Sequence, residues 1–118
     1  MKEIHKVNLL YDFYGSLLTE RQQKFIELYY GDDLSLGEIA EKFAVTRQAV
    51  HDTLKRAEQT LENYEQKLGL VGKFTEEYKS LGDVLNLLSH YQDGSDPNGL
   101  VLAKEKLEQI LGSRLEFN

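Results

Sequence analysis

The sequence predicts an all-α fold: a helix-turn-helix module over residues 35 to about 56, with a long fourth helix and a C-terminal helical pair. Two observations carry that prediction. Apolar residues recur every three or four positions along nearly the whole chain, and no segment shows the period-two alternation of a strand. Helix-start residues stand at Thr19, Ser35 and Thr46, while the single proline, Pro97, falls in a loop.

Ile4, Val7, Leu10, Tyr11, Tyr14 and Leu18 mark the apolar face of a first helix that ends near Gly15 to Leu18. Thr19 and Gln22 have capping-box spacing, in which a hydroxyl accepts from the third helical N–H and that residue's side chain returns the bond. They open a second helix, with Phe25, Ile26, Tyr29 and Tyr30 inward, which Gly31 is expected to stop. Ser35 and Glu38 repeat the box at the head of a short third helix carrying Leu36, Ile39, Ala40 and Phe43. Ala44-Val45-Thr46 is then a tight turn; Thr46 caps the fourth helix, and Val45 is placed to pack on Val50 as a hydrophobic staple.

From there Val50, Leu54, Ala57, Leu61, Tyr64 and Leu68 alternate in steps of four and three, an a/d seam on a helix of about 20 residues. The seam spans fewer than three heptads, which fits packing on the chain's own C-terminal helices. Gly69 and Gly72 are expected to end it, after which Phe74, Tyr78, Leu81, Leu85 and Leu88 repeat the alternation on a fifth helix. Pro97, in the loop from Asp93 to Gly99, is expected to open the sixth, whose face is Leu100, Ala103, Leu107 and Ile110 or Leu111. The organisation is therefore a helix-turn-helix domain over 1–68 and a C-terminal extension over 69–118, serving packing or dimerisation. Its two extra seams leave more apolar surface than a 118-residue monomer needs, and predict a homodimer.

The formal net charge of −6 argues against a chain that coats nucleic acid, because non-specific affinity comes from neutralising phosphates. The acidity is uneven: residues 47 to 73 hold five Lys or Arg against four Asp or Glu, and the segments on either side are acidic. A DNA surface would be local. No apolar run is long enough to span a bilayer, the N-terminus lacks the pattern of a secretory signal, and cysteine is absent. Cytoplasmic location without membrane insertion is the expectation.

With Val50 set inward at 100° per residue, Leu54 and Ala57 fall beside it, and Gln48, His51, Asp52 and Lys55 fall on the opposite face, flanked by Arg47 and Arg56. Such a face can enter a major groove. Gln48 suits an adenine edge, Arg47 a base or phosphate, Lys55 and Arg56 phosphates, and Asp52 a cytosine amino group. The candidate DNA-binding residues are thus Thr46, Arg47, Gln48, His51, Asp52, Lys55 and Arg56. Beyond the third turn Glu58, Glu62 and Glu65 are expected to make the helix surface acidic, confining contact to its first three turns.

Other chemistry finds little support. His5, His51 and His90 form no ligand-spaced cluster, so no metal site is expected. Asp96, Asn98, Gly99 and Glu105 imitate part of a calcium loop whose first position would be Gly94, without a carboxylate. Gly72-Lys73 lacks the remainder of a phosphate-binding loop. Tyr29, Tyr30, Tyr64, Tyr78 and Tyr91 fall at helical core or core-edge positions, which favours packing over base stacking. No catalytic residues, no cofactor and no enzymatic activity are expected.

The runs Phe13-Tyr14-Gly15-Ser16-Leu17-Leu18-Thr19-Glu20-Arg21-Gln22, Glu27-Leu28-Tyr29-Tyr30 with Asp32-Asp33, Ser35-Leu36-Gly37-Glu38-Ile39-Ala40-Glu41 and Thr46-Arg47-Gln48-Ala49-Val50 resemble the bacterial YlxM family over about residues 5 to 70. Residues 19 to 61 are also similar to region 4 of the sigma factors, which reads the −35 promoter element; Leu36, Glu38-Ile39-Ala40, Val45 and Val50 fit that pattern. The resemblance implies a regulatory protein that binds double-stranded DNA and is connected with the signal recognition particle pathway, beside whose GTPase gene the family's genes lie. The alternative it implies is a protein adaptor that binds no DNA and docks on a signal recognition particle component.

Overall fold

A computed structural model describes residues 4–117; Met1, Lys2, Glu3 and Asn118 lie outside it. Every regular element among the described residues is helical. In order they are α1 (Ile4–Tyr14) with a 3₁₀ turn (Gly15–Leu17), α2 (Glu20–Ile26) with a π turn (Glu27–Gly31), α3 (Leu36–Phe43), α4 (Arg47–Leu68), α5 (Leu70–Gln92) and α6 (Gly99–Phe117). The chain divides into two compact units, Met1–Val71 and Gly72–Asn118. No helix among the described residues is long and apolar enough to cross a membrane.

In the first unit the helix starts are those the sequence signals. The Thr19 and Ser35 hydroxyls each accept from the N–H three residues on, while Gln22 and Glu38 accept from the cap residue's own N–H at 3.0 and 2.9 Å. Such caps satisfy N–H groups that the helix itself leaves open. The second helix differs from expectation beyond Ile26: it widens into a π turn closed by Asp32 N–H donating to the Glu27 carbonyl. The extra residue in that turn shifts the inward face, so Leu28 is buried and Tyr29 and Tyr30 are only half-buried against the core.

The core of this unit is built around α4. Val50, Leu54, Ala57 and Leu61 are at most 3% exposed and pack among Val7, Leu10 and Tyr14 of α1, Phe25 and Ile26 of α2, and Ile39 and Ala40 of α3. Each fully buried Val, Leu or Phe side chain stabilises the fold by about 1.5–3 kcal/mol. The α4 seam is therefore covered by the three helices preceding it, which corrects the expectation that it packs on the C-terminal pair. Only its last member, Leu68, stays half exposed.

Gly69 ends α4 in the left-handed region at φ 64°, where glycine has no side chain to clash. The next helix begins at once and runs through Gly72, so Gly72 is no break. The reason is local capping: Leu70 N–H donates to the Tyr14 hydroxyl and Val71 N–H to the Glu65 carboxylate, supplying the acceptors that a helix start needs.

The second unit is an antiparallel pair formed by α6 and α5 from Gly72 onward. Gly99 opens α6 where a Cβ would strike the carbonyl oxygen of Leu87 and lie 2.9 Å from Cβ of Tyr91. Lys106 meets Asp83 at 3.8 Å further along. Pro97 precedes this helix by two residues instead of opening it, because Asp96 and Asn98 hold the intervening turn. Among the described residues Val84 and Ala103 are the buried apolar side chains here; Leu100, Leu107 and Leu111, expected inward, are 39–61% exposed. Tyr78 and Tyr91 are likewise exposed, unlike the core positions their spacing suggested.

Candidate nucleic-acid interface

The turn that presents α4 depends on two residues. Ala44 takes a left-handed conformation at φ 55°, reversing the chain directly after α3, and Thr46 caps α4 by accepting from Ala49 N–H at 3.0 Å. Val45 and Val50 both pack into the core, as a staple requires, and Val50 is fully buried. With Val50 pinned inward, Thr46, Arg47, Gln48, His51, Asp52, Lys55 and Arg56 are all exposed.

Three cations stand on this face, and among the described residues no salt bridge engages any of them. Arg47 folds back toward α3: its Nε and Nη2 lie 2.9 and 3.0 Å from where a Cβ of Gly37 would stand. Helical periodicity assigns Gly37 no role, although a glycine inside a short helix weakens it and so signals a close approach. The single carboxylate of the face, Asp52, accepts from the Gln48 side-chain amide at 2.9 Å and lies 3.5 Å from Nδ1 of His51. The Gln48 bond, followed by His51 and Arg56, holds the Asp52 carboxyl below the usual carboxylate range, so it is ionised. One amide hydrogen of Gln48 is thereby engaged, and reading an adenine edge requires its other hydrogen or exchange of this bond.

Beyond the third turn the three carboxylates lie to one side of α4, each engaged by another part of the first unit. Glu58 accepts from the Tyr30 hydroxyl at 2.9 Å, Glu62 pairs with Lys6 at 2.8 Å, and Glu65 accepts from Tyr14 at 2.6 Å and from Val71 N–H. All three are partly buried on the flank of α4 that meets α1 and the turn after α2. The helix continues outward through exposed Gln59, Asn63, Gln66 and Lys67, without a further carboxylate. Sequence spacing could not separate flank from outer face here, since Glu62 lies only about 60° from the direction opposite Val50.

Among the described residues no group of three or more His, Cys, Asp or Glu is placed to hold a metal ion, and His51 faces Asp52 alone. What the site offers is a short exposed face with three guanidinium or ammonium groups, three hydrogen-bonding side chains (Thr46, Gln48 and His51) and one carboxylate.

Comparison with known proteins identifies the family. Residues 1–96 match the family described as "Putative helix-turn-helix protein, YlxM / p13 like". A UPF0122 protein of Desulforamulus reducens is 70% identical over 117 residues, covering 99% of this chain and 100% of that protein. UPF0122 proteins of Anoxybacillus flavithermus and Bacillus mycoides are 48% and 47% identical over 109 residues, covering 92% of this chain and 99% of each relative. With its capped third helix, left-handed turn and exposed fourth-helix face, the chain belongs to the UPF0122 family of YlxM/p13-like helix-turn-helix proteins.

Proposed function

We propose that the protein is a regulator that binds double-stranded DNA in the cytoplasm, inserting the first turns of α4 into the major groove, with two copies acting together. One observation carries the reading: Arg47, Lys55 and Arg56 are exposed around Gln48, His51 and Asp52, while the later carboxylates of the same helix are drawn toward α1 and α2. Duplex DNA rewards such a face, since cations meet phosphates and the central polar side chains meet base edges. A link to the signal recognition particle pathway is compatible with regulation of that pathway's genes. The second reading, an adaptor that docks on a particle component without DNA, is favoured by the exposed apolar side chains of α5 and α6.

Selection from a randomised duplex library at low salt tests the first reading. Recovery of a preferred sequence is expected, with Arg47→Ala and Lys55→Ala each weakening binding by roughly 5- to 50-fold. If no duplex is retained at low salt, DNA reading is wrong, and pull-down of a particle component would then carry the adaptor reading.

A further inference from the structure

The second unit leaves unburied what its sequence pattern is built to bury. Along α5 the seam Phe74, Tyr78, Leu81, Leu85 and Leu88 keeps heptad spacing, yet its members are 38–72% exposed, with Tyr78 and Leu85 the most open. On α6 five more large apolar side chains are exposed among the described residues. The two helices meet through small residues, Gly99 and Ala103, and among the described residues only Val84 and Ala103 are buried apolar side chains. A helix pair with so little interior needs another surface.

We infer that the α5 seam is the docking surface for a second copy of this chain, whose own α5 seam lies against it across a twofold axis. Three features single out that occupant. Heptad spacing is the pattern of a helix that packs on another helix, and in a twofold pair the same seam serves both sides. One border of the seam, Thr75, Gly82 and Ser89, is small and uncharged, so two copies of a net-acidic chain meet there without like-charge repulsion.

The third is Gly82. It sits in the middle of a 23-residue helix, where glycine is unfavourable, and it has no left-handed φ to justify it. A Cβ there would meet nothing within 4 Å, so the single chain does not require its smallness. A partner helix crossing close to α5 does. The five seam side chains offer on the order of 500 Å², toward the lower end of what each partner contributes to a specific interface.

The inference rests on the proposed pairing of copies and is independent of DNA. Sedimentation of the full chain without nucleic acid, over a range of micromolar concentrations, tests it against Leu85→Glu and Gly82→Arg. The wild type is expected at twice the 13.6 kDa chain mass. Both variants should dissociate, with affinity weakened on the order of 100-fold or more. Neither should lose helicity, because Leu85 is 65% exposed in the single chain and Arg is a better helix former than Gly. A wild type that stays at the single-chain mass, or variants that remain paired, would overturn the assignment. Failure to bind DNA would leave it standing, so the two readings fall separately.

Discussion

Three tyrosine hydroxyls, on Tyr11, Tyr14 and Tyr30, each donate to a glutamate on another element: Glu27, Glu65 and Glu58. Each bond needs the phenol protonated. For Tyr11, burial first and then the Glu27 bond and charge push the pKa from 10.0 up to about 12. A group raised in the folded state contributes stability that is fully present below its unfolded pKa and lost as pH climbs through the folded one. Resistance to urea should therefore fall between pH 10 and about 12, and Tyr11→Phe should flatten that fall by about 1 kcal/mol after allowance for solvent screening. Equal steepness in both proteins would show the Tyr11 bond to be energetically idle. Glu38 acts with the opposite sign: its bonds to the Ser35 backbone and hydroxyl hold its carboxyl low, so the α3 cap weakens as acid protonates it.

At the scale of elements, the module rests on caps that act locally, and local chemistry is what one sequence reports best. Thr19 with Gln22, Ser35 with Glu38, and Thr46 could be read as caps because each works within four residues. Removing the Thr46 hydroxyl in Thr46→Ala should cost about 1 kcal/mol, whereas Ala44→Gly should stabilise by about 0.5 kcal/mol, since Ala44 holds a left-handed conformation at φ 55°. Thermal unfolding of both variants checks the pair; a destabilised Ala44→Gly would mean that the Ala44 methyl matters more than its backbone. What the sequence left hidden depends on contacts distant along the chain. The inward turn of Glu58, Glu62 and Glu65 needed Tyr30, Lys6 and Tyr14 to come from other helices. The π turn and the start of α5 at Leu70 likewise depend on packing and on Tyr14, and helical periodicity carries no sign of either.

Across the whole molecule the charge is −6, yet the candidate reading face carries three cations and one carboxylate. Binding by such a molecule should be driven by few phosphate contacts and opposed elsewhere by its own field. Release of counterions by Arg47, Lys55 and Arg56 from one copy gives log affinity a slope of about −2.7 against log salt, or about 40-fold between 50 and 200 mM. If two copies dock on one duplex, both faces count, and the slope should double to about −5, with more than about 1,000-fold lost over the same range. Titration of wild type and Leu85→Glu on the selected duplex separates these cases. The doubled slope is expected for the wild type and the single slope for the variant, whose face on α4 is untouched. Equal slopes would mean that the C-terminal helices contribute nothing to how DNA is held, and that any pairing through α5 serves something other than presenting two reading helices.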